Sequence, residues 1–326
     1  MQRREFITLL GGATATWPVA ARAQQPAMPV VGFLSNDSPA TFPYRLSAFH
    51  EGLREAGYVE GDNVAILYRW AEAHTDRLPA LAADLVRRRV AVLASWGTAP
   101  CLAAKAATTT IPLVFTVSDD PVRLGLVASL ARPGSNATGY SLLSAELTAK
   151  RLGLLREMVP RAAKVAAILD PALPQNETTL RELETAAPAM GLKLQILKAS
   201  TSGEINAAFA ALSQERPDAL FVPSGALFEA RRVQLVHLAS RHAIPASYSS
   251  REYVEVGGLM SYGPNLVESF RHIGAYTGRI LKGEKASDLP VVQPTKFEFV
   301  VNAQTAGLIG IEVPVALLAQ ADEVIE

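Results

Sequence analysis

Residues 30–39, VVGFLSNDSP, carry the pattern on which the interpretation of the fold rests. The small and apolar residues Val30 to Leu34 predict a buried strand, and the polar residues that follow predict a loop at its carboxyl end. Beyond this loop, apolar residues recur at helical spacing up to Gly57, which is a typical helix end. This order of strand, loop and helix is typical of an α/β unit built on a parallel sheet.

The alternation of strands and helices continues through the first half of the chain. Further strands are predicted at Val64–Tyr68, Val90–Ala94 and Leu113–Val117, and helices at Leu78–Arg88, Leu102–Ala107 and Val122–Leu130. The last helix is expected to have Asp120 as its N-cap and Pro121 in its first turn. The βαβα order predicts a parallel sheet with helices on both faces.

The second half of the chain repeats this layout. Val165–Leu169 is a predicted strand, and the distance from Val165 to Gly191 equals that from Val31 to Gly57. Ile244-Pro245 opens a predicted strand in the same way as Ile111-Pro112. We therefore expect an α/β protein of two similar lobes, each a parallel sheet with helices on both faces. Ligands of such sheets bind at the carboxyl ends of the strands.

Three stretches rich in glycine or proline are candidate linkers between the lobes. They are Gly134–Tyr140, Gly257–Pro264 and Leu289–Thr295. The first lobe is expected to contain residues 24–142 and 259–296, and the second residues 143–258 and 297–326. Three linkers would form a hinge on which the lobes close around a ligand held in the cleft between them.

Residues 1–23 have the features of an export signal. Arg3-Arg4 precedes a mostly apolar stretch, and Ala21-Arg22-Ala23 fits a cleavage site, so the mature chain is expected to start at Gln24. The paired arginines resemble a twin-arginine signal, and the general secretion route stays open because the match is imperfect. The single cysteine, Cys101, is far from the cleavage site, so we expect a periplasmic protein without a lipid anchor.

Composition excludes several classes of function. The 31 basic and 31 acidic residues balance, so no basic surface for nucleic acid is expected. One cysteine and five scattered histidines predict no metal site, and the usual phosphate-binding and serine-hydrolase motifs are missing from the sequence. No uninterrupted apolar stretch is long enough to predict a transmembrane helix. We expect neither a metal nor a cofactor.

The candidate ligand-binding residues follow the strand ends of both lobes. They are Ser35, Asn36, Trp96, Gly97, Thr98, Ser118, Asp119 and Asp120 in the first lobe, and Asp170, Ser224, Gly225, Tyr248 and Tyr262 in the second. Trp96 offers an apolar surface, and the helix start after Gly97 suits a carboxylate. Asp119 or Asp120 can accept an ammonium group. This set predicts a small ligand with an apolar portion and a charged group, such as an aromatic amino acid or carboxylate.

Several segments of the chain also resemble one protein family. They are residues 32–35, 52–61, 68–72, 76–82, 120–122, 125–130 and 257–263. With them the chain resembles the ABC-transporter substrate-binding proteins of the tryptophan/tyrosine-binding type. The resemblance implies the type I periplasmic-binding-protein fold, a ligand between the lobes, and a membrane permease with its ATPase as partner. It leaves the ligand open.

The leading interpretation is therefore a monomeric periplasmic solute receptor without catalytic residues. One alternative is an exported enzyme that uses Asp119 and Asp120 on a bound small molecule. The other is an extracytoplasmic sensor that docks on a membrane signalling protein. A ligand recovered unchanged after binding would favour a receptor or a sensor over an enzyme.

Overall fold

A computed structural model describes residues 28–39, 43–142, 144 and 147–326 of the chain. These residues form one sheet of five strands and one of seven. The expected export signal at residues 1–23 lies outside the described residues. Within the described ranges, every helix is too short or too polar to cross a membrane.

The five-stranded sheet belongs to the first lobe. Its strands are β1 (Val30–Ser35), β2 (Ala65–Trp70), β3 (Val92–Trp96), β4 (Leu113–Val117) and β5 (Ala137–Ser141), and the helices between them are α1 (Pro43–Glu55), α2 (Leu78–Arg87) and α3 (Thr98–Ala107). The strands lie in the order β2-β1-β3-β4-β5, and all neighbours are parallel. All residues of β3 and β4 are buried, because helices cover both faces of the sheet.

The seven-stranded sheet belongs to the second lobe. Its strands are β6 (Lys164–Leu169), β7 (Lys193–Lys198), β8 (Ala219–Phe221), β9 (Ala246–Tyr248), β10 (Met260–Pro264), β11 (Phe297–Asn302) and β12 (Glu323–Ile325), in the order β12-β11-β10-β9-β8-β6-β7. The helices of this half of the chain are α4 (Thr148–Met158), α5 (Pro174–Ala189), α6 (Ser202–Glu215), α7 (Ala226–Ala230), α8 (Arg232–Arg241), α9 (Arg251–Val254), α10 (Leu266–Leu281), α11 (Ala303–Leu308) and α12 (Val315–Gln320). Of these, α10 packs on the first lobe.

The two-lobed α/β fold expected from the sequence is confirmed. Each sheet has a hydrophobic core on both of its faces, as helices on both faces require. One detail differs, because β10 and β11 are antiparallel. The reason is that β10 runs towards a crossing between the lobes, whereas β11 starts from one.

The chain crosses between the lobes three times. The first crossing follows β5, and the second lies between Pro264, the last residue of β10, and α10. The third lies between Val292, whose N–H donates to the carbonyl of Gly139, and β11. Only this third crossing falls within a predicted linker, Leu289–Thr295.

The two other linker predictions are wrong because each stretch contains a strand in which a glycine allows close packing of the backbone. Residues of Gly134–Tyr140 belong to β5, where a Cβ atom on Gly139 would lie 2.0 Å from the carbonyl oxygen of Phe115. Residues of Gly257–Pro264 belong to β10, where a Cβ atom on Gly263 would lie 2.0 Å from the oxygen of Ser249. Residues 260–264, which we expected in the first lobe, are therefore part of the second sheet.

The predicted helix Val122–Leu130 is also wrong. Asp120 Oδ1 accepts a hydrogen bond from the Val122 N–H at 2.8 Å, as a cap would. The chain then makes turns without a continuing helix. Gly125 adopts a left-handed φ of 71°, which ends the helical path after one turn.

Helix α10 is fixed to the first lobe by its close contact with α1. A Cβ atom on Gly52 of α1 would lie 1.9 Å from the carbonyl oxygen of Arg271, and one on Gly274 of α10 would lie 2.0 Å from that of Phe49. Glycine at both positions therefore lets the two backbones touch. This contact anchors the chain on the first lobe directly after the second crossing.

Candidate ligand site between the lobes

A cavity of about 710 Å³, including its mouth to solvent, lies between the two lobes. Its lining follows the carboxyl ends of the strands, as expected for parallel sheets. Asn36 follows β1, Trp96 ends β3 and Ser118 follows β4, while Ser224 and Ser249 follow β8 and β9 of the second lobe. Both lobes therefore contribute to one site.

The structure brings part of the predicted set together at this cavity. The predicted residues that line it are Asn36, Trp96, Gly97, Thr98, Ser118, Ser224 and Gly225. Trp96 stacks on Phe270 of α10, with the ring centroids 3.9 Å apart, so the indole also belongs to the core of the first lobe. Leu142, Leu173 and Leu266 extend the apolar part of the wall.

Asp119 and Asp120 lie outside this cavity, in a separate depression that they share with Arg123 and Thr178. The Thr98 hydroxyl donates to Asp119 Oδ2 at 3.4 Å, and Asp120 accepts from the Val122 N–H. The structure therefore places neither of these predicted ammonium acceptors in the lining of the cavity. Asp120 is held by a hydrogen bond within its own loop, and Asp119 is held by Thr98 of α3.

The remaining predicted residues have structural roles. Ser35 is fully buried and donates to Asp37 Oδ2 at 3.0 Å, while Asp170 accepts from the Ala172 N–H and the Ser200 hydroxyl. Tyr248 stacks on Tyr253 in the core of the second lobe, and Tyr262 packs on Phe297 and Phe299. Tyr248 is the last residue of β9 and Tyr262 lies inside β10, so these aromatic side chains belong to the sheet and not to the loops.

The sequence analysis did not predict three charged residues of the site, Arg45, Glu229 and Glu252. Arg45 of α1 donates from Nη2 to Glu229 Oε2 of α7 at 3.0 Å and to Glu252 Oε1 of α9 at 3.1 Å. All three side chains are almost completely buried, and the two bonds join the first lobe to the second. A signal was present, because Arg45 shares a helix face with the buried Ala48 and Phe49.

A third carboxylate, Asp37, lines the cavity beside this group. Burial raises the pKa values of Asp37 and Glu229, and the charge of Arg45 opposes the rise. Burial acts in the same direction on Glu252, but Arg45 and a hydrogen bond from Ser250 bring its pKa below the ordinary value. The site therefore concentrates acidic groups around one arginine.

Neutral polar groups complete the lining. Asn36 Oδ1 and Thr116 Oγ1 are buried and have no hydrogen-bond partner among the described residues. The first turn of α3, Thr98 to Pro100, also lines the cavity. The N–H groups of Thr98 and Ala99 lie at the helix start, where N–H groups have no partner within the helix. Such groups are available to a polar ligand. In the described part of the chain, no three His, Cys, Asp or Glu residues group as a metal site would require.

A family model described as "ABC transporter substrate binding protein" matches residues 29–325. This chain belongs to that family. The resemblance drawn from its sequence segments is thereby confirmed. The curated tyrosine-binding protein of Clostridioides difficile (strain R20291) is 28% identical to this chain over 258 residues, which cover 79% of this chain and 74% of that protein.

Solved structures of ABC substrate-binding proteins have the same fold. The ABC domain of Streptococcus pneumoniae in complex with L-Trp has a TM-score of 0.82 at 24% identity, and covers 91% of this chain and 99% of that one. The ligand-free, open structure of CD0873, a substrate-binding protein with adhesive properties from Clostridium difficile, has a TM-score of 0.63 at 25% identity and the same coverage. The type I periplasmic-binding-protein fold is confirmed.

Proposed function

We propose that this protein is the periplasmic solute-binding component of an ABC importer for an amino acid with an apolar or aromatic side chain. Its two lobes close around the ligand and present it to a membrane permease with its ATPase. In this proposal the mature protein starts at Gln24 and acts as a monomer. The observation that carries the proposal is the cavity to which both lobes contribute apolar and buried polar groups.

The lining supports a ligand of this class. Trp96, Leu142, Leu173 and Leu266 offer an apolar surface, and Asn36 and Thr116 offer polar atoms without partners among the described residues. The relatives described as a tyrosine-binding protein and as an L-Trp complex support an aromatic amino acid.

The mechanism we propose is a shift between an open and a closed form. Arg45 reaches Glu229 and Glu252 on the other lobe, so these bonds form only when the lobes are close together. The TM-scores support a closed form for this chain, because it matches the L-Trp complex better than it matches the open, ligand-free structure. A ligand that contacts both lobes gains these contacts only in the closed form and therefore favours it.

The exported-enzyme alternative finds no support at the residues it requires. Asp119 and Asp120 hold hydrogen bonds to Thr98 and Val122 and line a different depression from the cleft. Transport and sensing would use the same cavity. Uptake of the ligand by cells that lack this protein separates the two, because uptake falls only when the protein serves transport.

The proposal is tested with the mature protein, freed of ligand by unfolding and refolding. Thermal unfolding and calorimetric titration are measured with L-tyrosine, L-tryptophan, L-phenylalanine and L-leucine, and with xylose and myo-inositol as controls. We expect at least one of the amino acids to raise the unfolding temperature and to be recovered unchanged by mass spectrometry. Binding of the sugars alone, or chemical change of the ligand, would contradict the proposal.

Replacement of Trp96 by leucine is expected to weaken the binding of an aromatic amino acid about tenfold. An aromatic contact contributes about 0.5–1.5 kcal/mol beyond the area it buries, and leucine still fills the space beside Phe270. Asp120→Asn is the matched control, since its carboxylate lies outside the cavity. Calorimetric titration of both variants checks the prediction, and equal affinities would mean that the indole does not contact the ligand.

A further inference from the structure

We propose that the cleft selects its ligand by a cationic ammonium group, which supplies the positive charge missing from a buried cluster of three carboxylates. This inference rests on the proposed function, because it names the ligand group that the same cavity recognises. It predicts that amines without a carboxylate are bound, whereas acids without an ammonium group are rejected.

The cluster consists of Asp37, Glu229 and Glu252 around Arg45, and it is named here the acid cluster. Asp37 and Arg45 come from the first lobe, and the two glutamates come from the second. Arg45 Nη2 lies 3.0 Å from Glu229 Oε2 and 3.1 Å from Glu252 Oε1. Each of the four residues is more than nine-tenths buried, so water screens their charges only weakly.

The positive charges near the acid cluster do not balance it. Besides Arg45, Arg151 of α4 acts on Glu229 through its charge. Arg232 donates from Nη1 to the backbone carbonyl of Glu229 at 3.1 Å. Arg151 Nη2 donates to the carbonyls of Val222 at 2.5 Å and Ser247 at 3.3 Å. Among the described residues, the arginines whose charge acts on the three carboxylates are therefore two, Arg45 and Arg151. A buried carboxylate without a counter-charge is strongly unfavourable, and one ammonium group would correct the imbalance.

The cavity offers acceptors for such a group. Asp37 and Glu229 both line it, and so does Asn36, whose Oδ1 is buried without a partner among the described residues. An ammonium group has three N–H donors and no acceptor, which matches two carboxylates and an amide oxygen. Burial raises the pKa values of Asp37 and Glu229, as expected for acids whose charge is not fully compensated.

A ligand carboxylate finds no comparable partner. Within the described part of the chain, Arg45 is the single arginine or lysine of the lining, and it already holds Glu229 and Glu252. A ligand carboxylate can accept hydrogen bonds from neutral donors, such as the Thr98 hydroxyl and the first N–H groups of α3. The ammonium group therefore contributes more to recognition than the carboxylate does.

The same imbalance couples ligand charge to closure. The glutamates meet Asp37 and Arg45 only when the two lobes approach, so the excess of negative charge is buried during closure itself. A bound ammonium group removes this excess and makes the closed form favourable. A neutral or anionic ligand of the same shape does not remove the excess negative charge and therefore does not favour the closed form in this way.

The test compares three ligands with one aromatic body on the mature protein by calorimetric titration. They are L-tyrosine, tyramine, which lacks the carboxylate, and 3-(4-hydroxyphenyl)propionate, which lacks the ammonium group. If another amino acid binds best, its amine and its des-amino acid replace them. We expect the amine to bind within about tenfold of the amino acid, and the des-amino acid to bind at least a hundredfold more weakly than the amino acid.

Equal binding of the des-amino acid and the amino acid would overturn the inference and leave the proposed function standing. Failure of every amino acid overturns both.

A variant of Asp37 tests whether the acid cluster causes the selection for an ammonium group. Asp37→Asn is expected to weaken the binding of the amino acid and of the amine at least tenfold, and to leave the binding of the des-amino acid unchanged or stronger. Asp120→Asn, outside the cavity, is the control and is expected to change none of the three. Equal losses for all three ligands in Asp37→Asn would indicate a general structural defect and contradict the inference.

Discussion

Arg45→Met is expected to weaken ligand binding a hundredfold or more while both lobes remain folded. The variant leaves Glu229 and Glu252 without the guanidinium that joins them to the first lobe. Removal of one partner from a buried ion pair costs about 3–5 kcal/mol, and here the penalty falls on the closed form, in which the charges meet. Calorimetric titration measures the affinity, and small-angle scattering with ligand reports whether the lobes still close.

Arg271→Met is the matched control for Arg45→Met. Arg271 lies on α10 and pairs with Glu55 of α1, so this ion pair is exposed and stays within the first lobe. Exposed pairs contribute about 0–1 kcal/mol, and we expect the affinity to remain unchanged. If Arg45→Met also kept the affinity of the natural protein, the bonds between the lobes would not contribute to closure.

The second large effect is expected for Gly52→Ala, which should lower the unfolding temperature. The added Cβ atom would lie 1.9 Å from the carbonyl oxygen of Arg271 and 2.7 Å from the amide nitrogen of Ala275. Both atoms belong to the backbone of α10, so the clash can be relieved only if the helices separate. A loss of about 3 kcal/mol corresponds to roughly 6–12 °C in a domain of 150–250 residues.

Gly153→Ala provides the control for this effect. Gly153 also lies inside a helix, α4, but a Cβ atom there would meet only the end of the Met190 side chain at 3.7 Å. Alanine restricts the unfolded chain more than glycine does, so we expect this variant to gain about 0.5–1 kcal/mol. Scanning calorimetry of both variants decides the point, and similar shifts in both would mean that α1 and α10 are not in close contact.

The fold was largely predictable because buried strands have a strong local signature. Leu113–Val117 is a continuous apolar run and was predicted with its observed limits. The two wrong linker predictions arose because glycine occurs both in flexible linkers and where two backbones pack closely. Gly139 and Gly263 suggested flexible linkers, whereas they sit in strands where a neighbouring backbone passes within 2.0 Å of a Cβ position. No local pattern distinguishes these two uses of glycine.

The candidate site was predictable only where it follows from the topology of the sheet. Asn36, Trp96 and Ser224 lie at strand ends, and parallel strands bring such ends together. Arg45 and Glu229 could not be paired in advance, because their contact depends on how one lobe sits against the other across 184 positions of sequence. Asp119 and Asp120 follow β4 but do not line the cavity, because Asp119 accepts a hydrogen bond from Thr98 of α3 and Asp120 accepts one from Val122 in its own loop.

The three crossings mean that neither lobe is one continuous piece of chain. The first lacks α10 until residue 281 has been synthesised, and the second lacks β11 and β12 until the last residues, 297–326, are made. Neither core can therefore be completed from the first 264 residues alone. A fragment that ends at Pro264 would lack α10 of the first lobe and β11 and β12 of the second, so it would contain neither lobe in full.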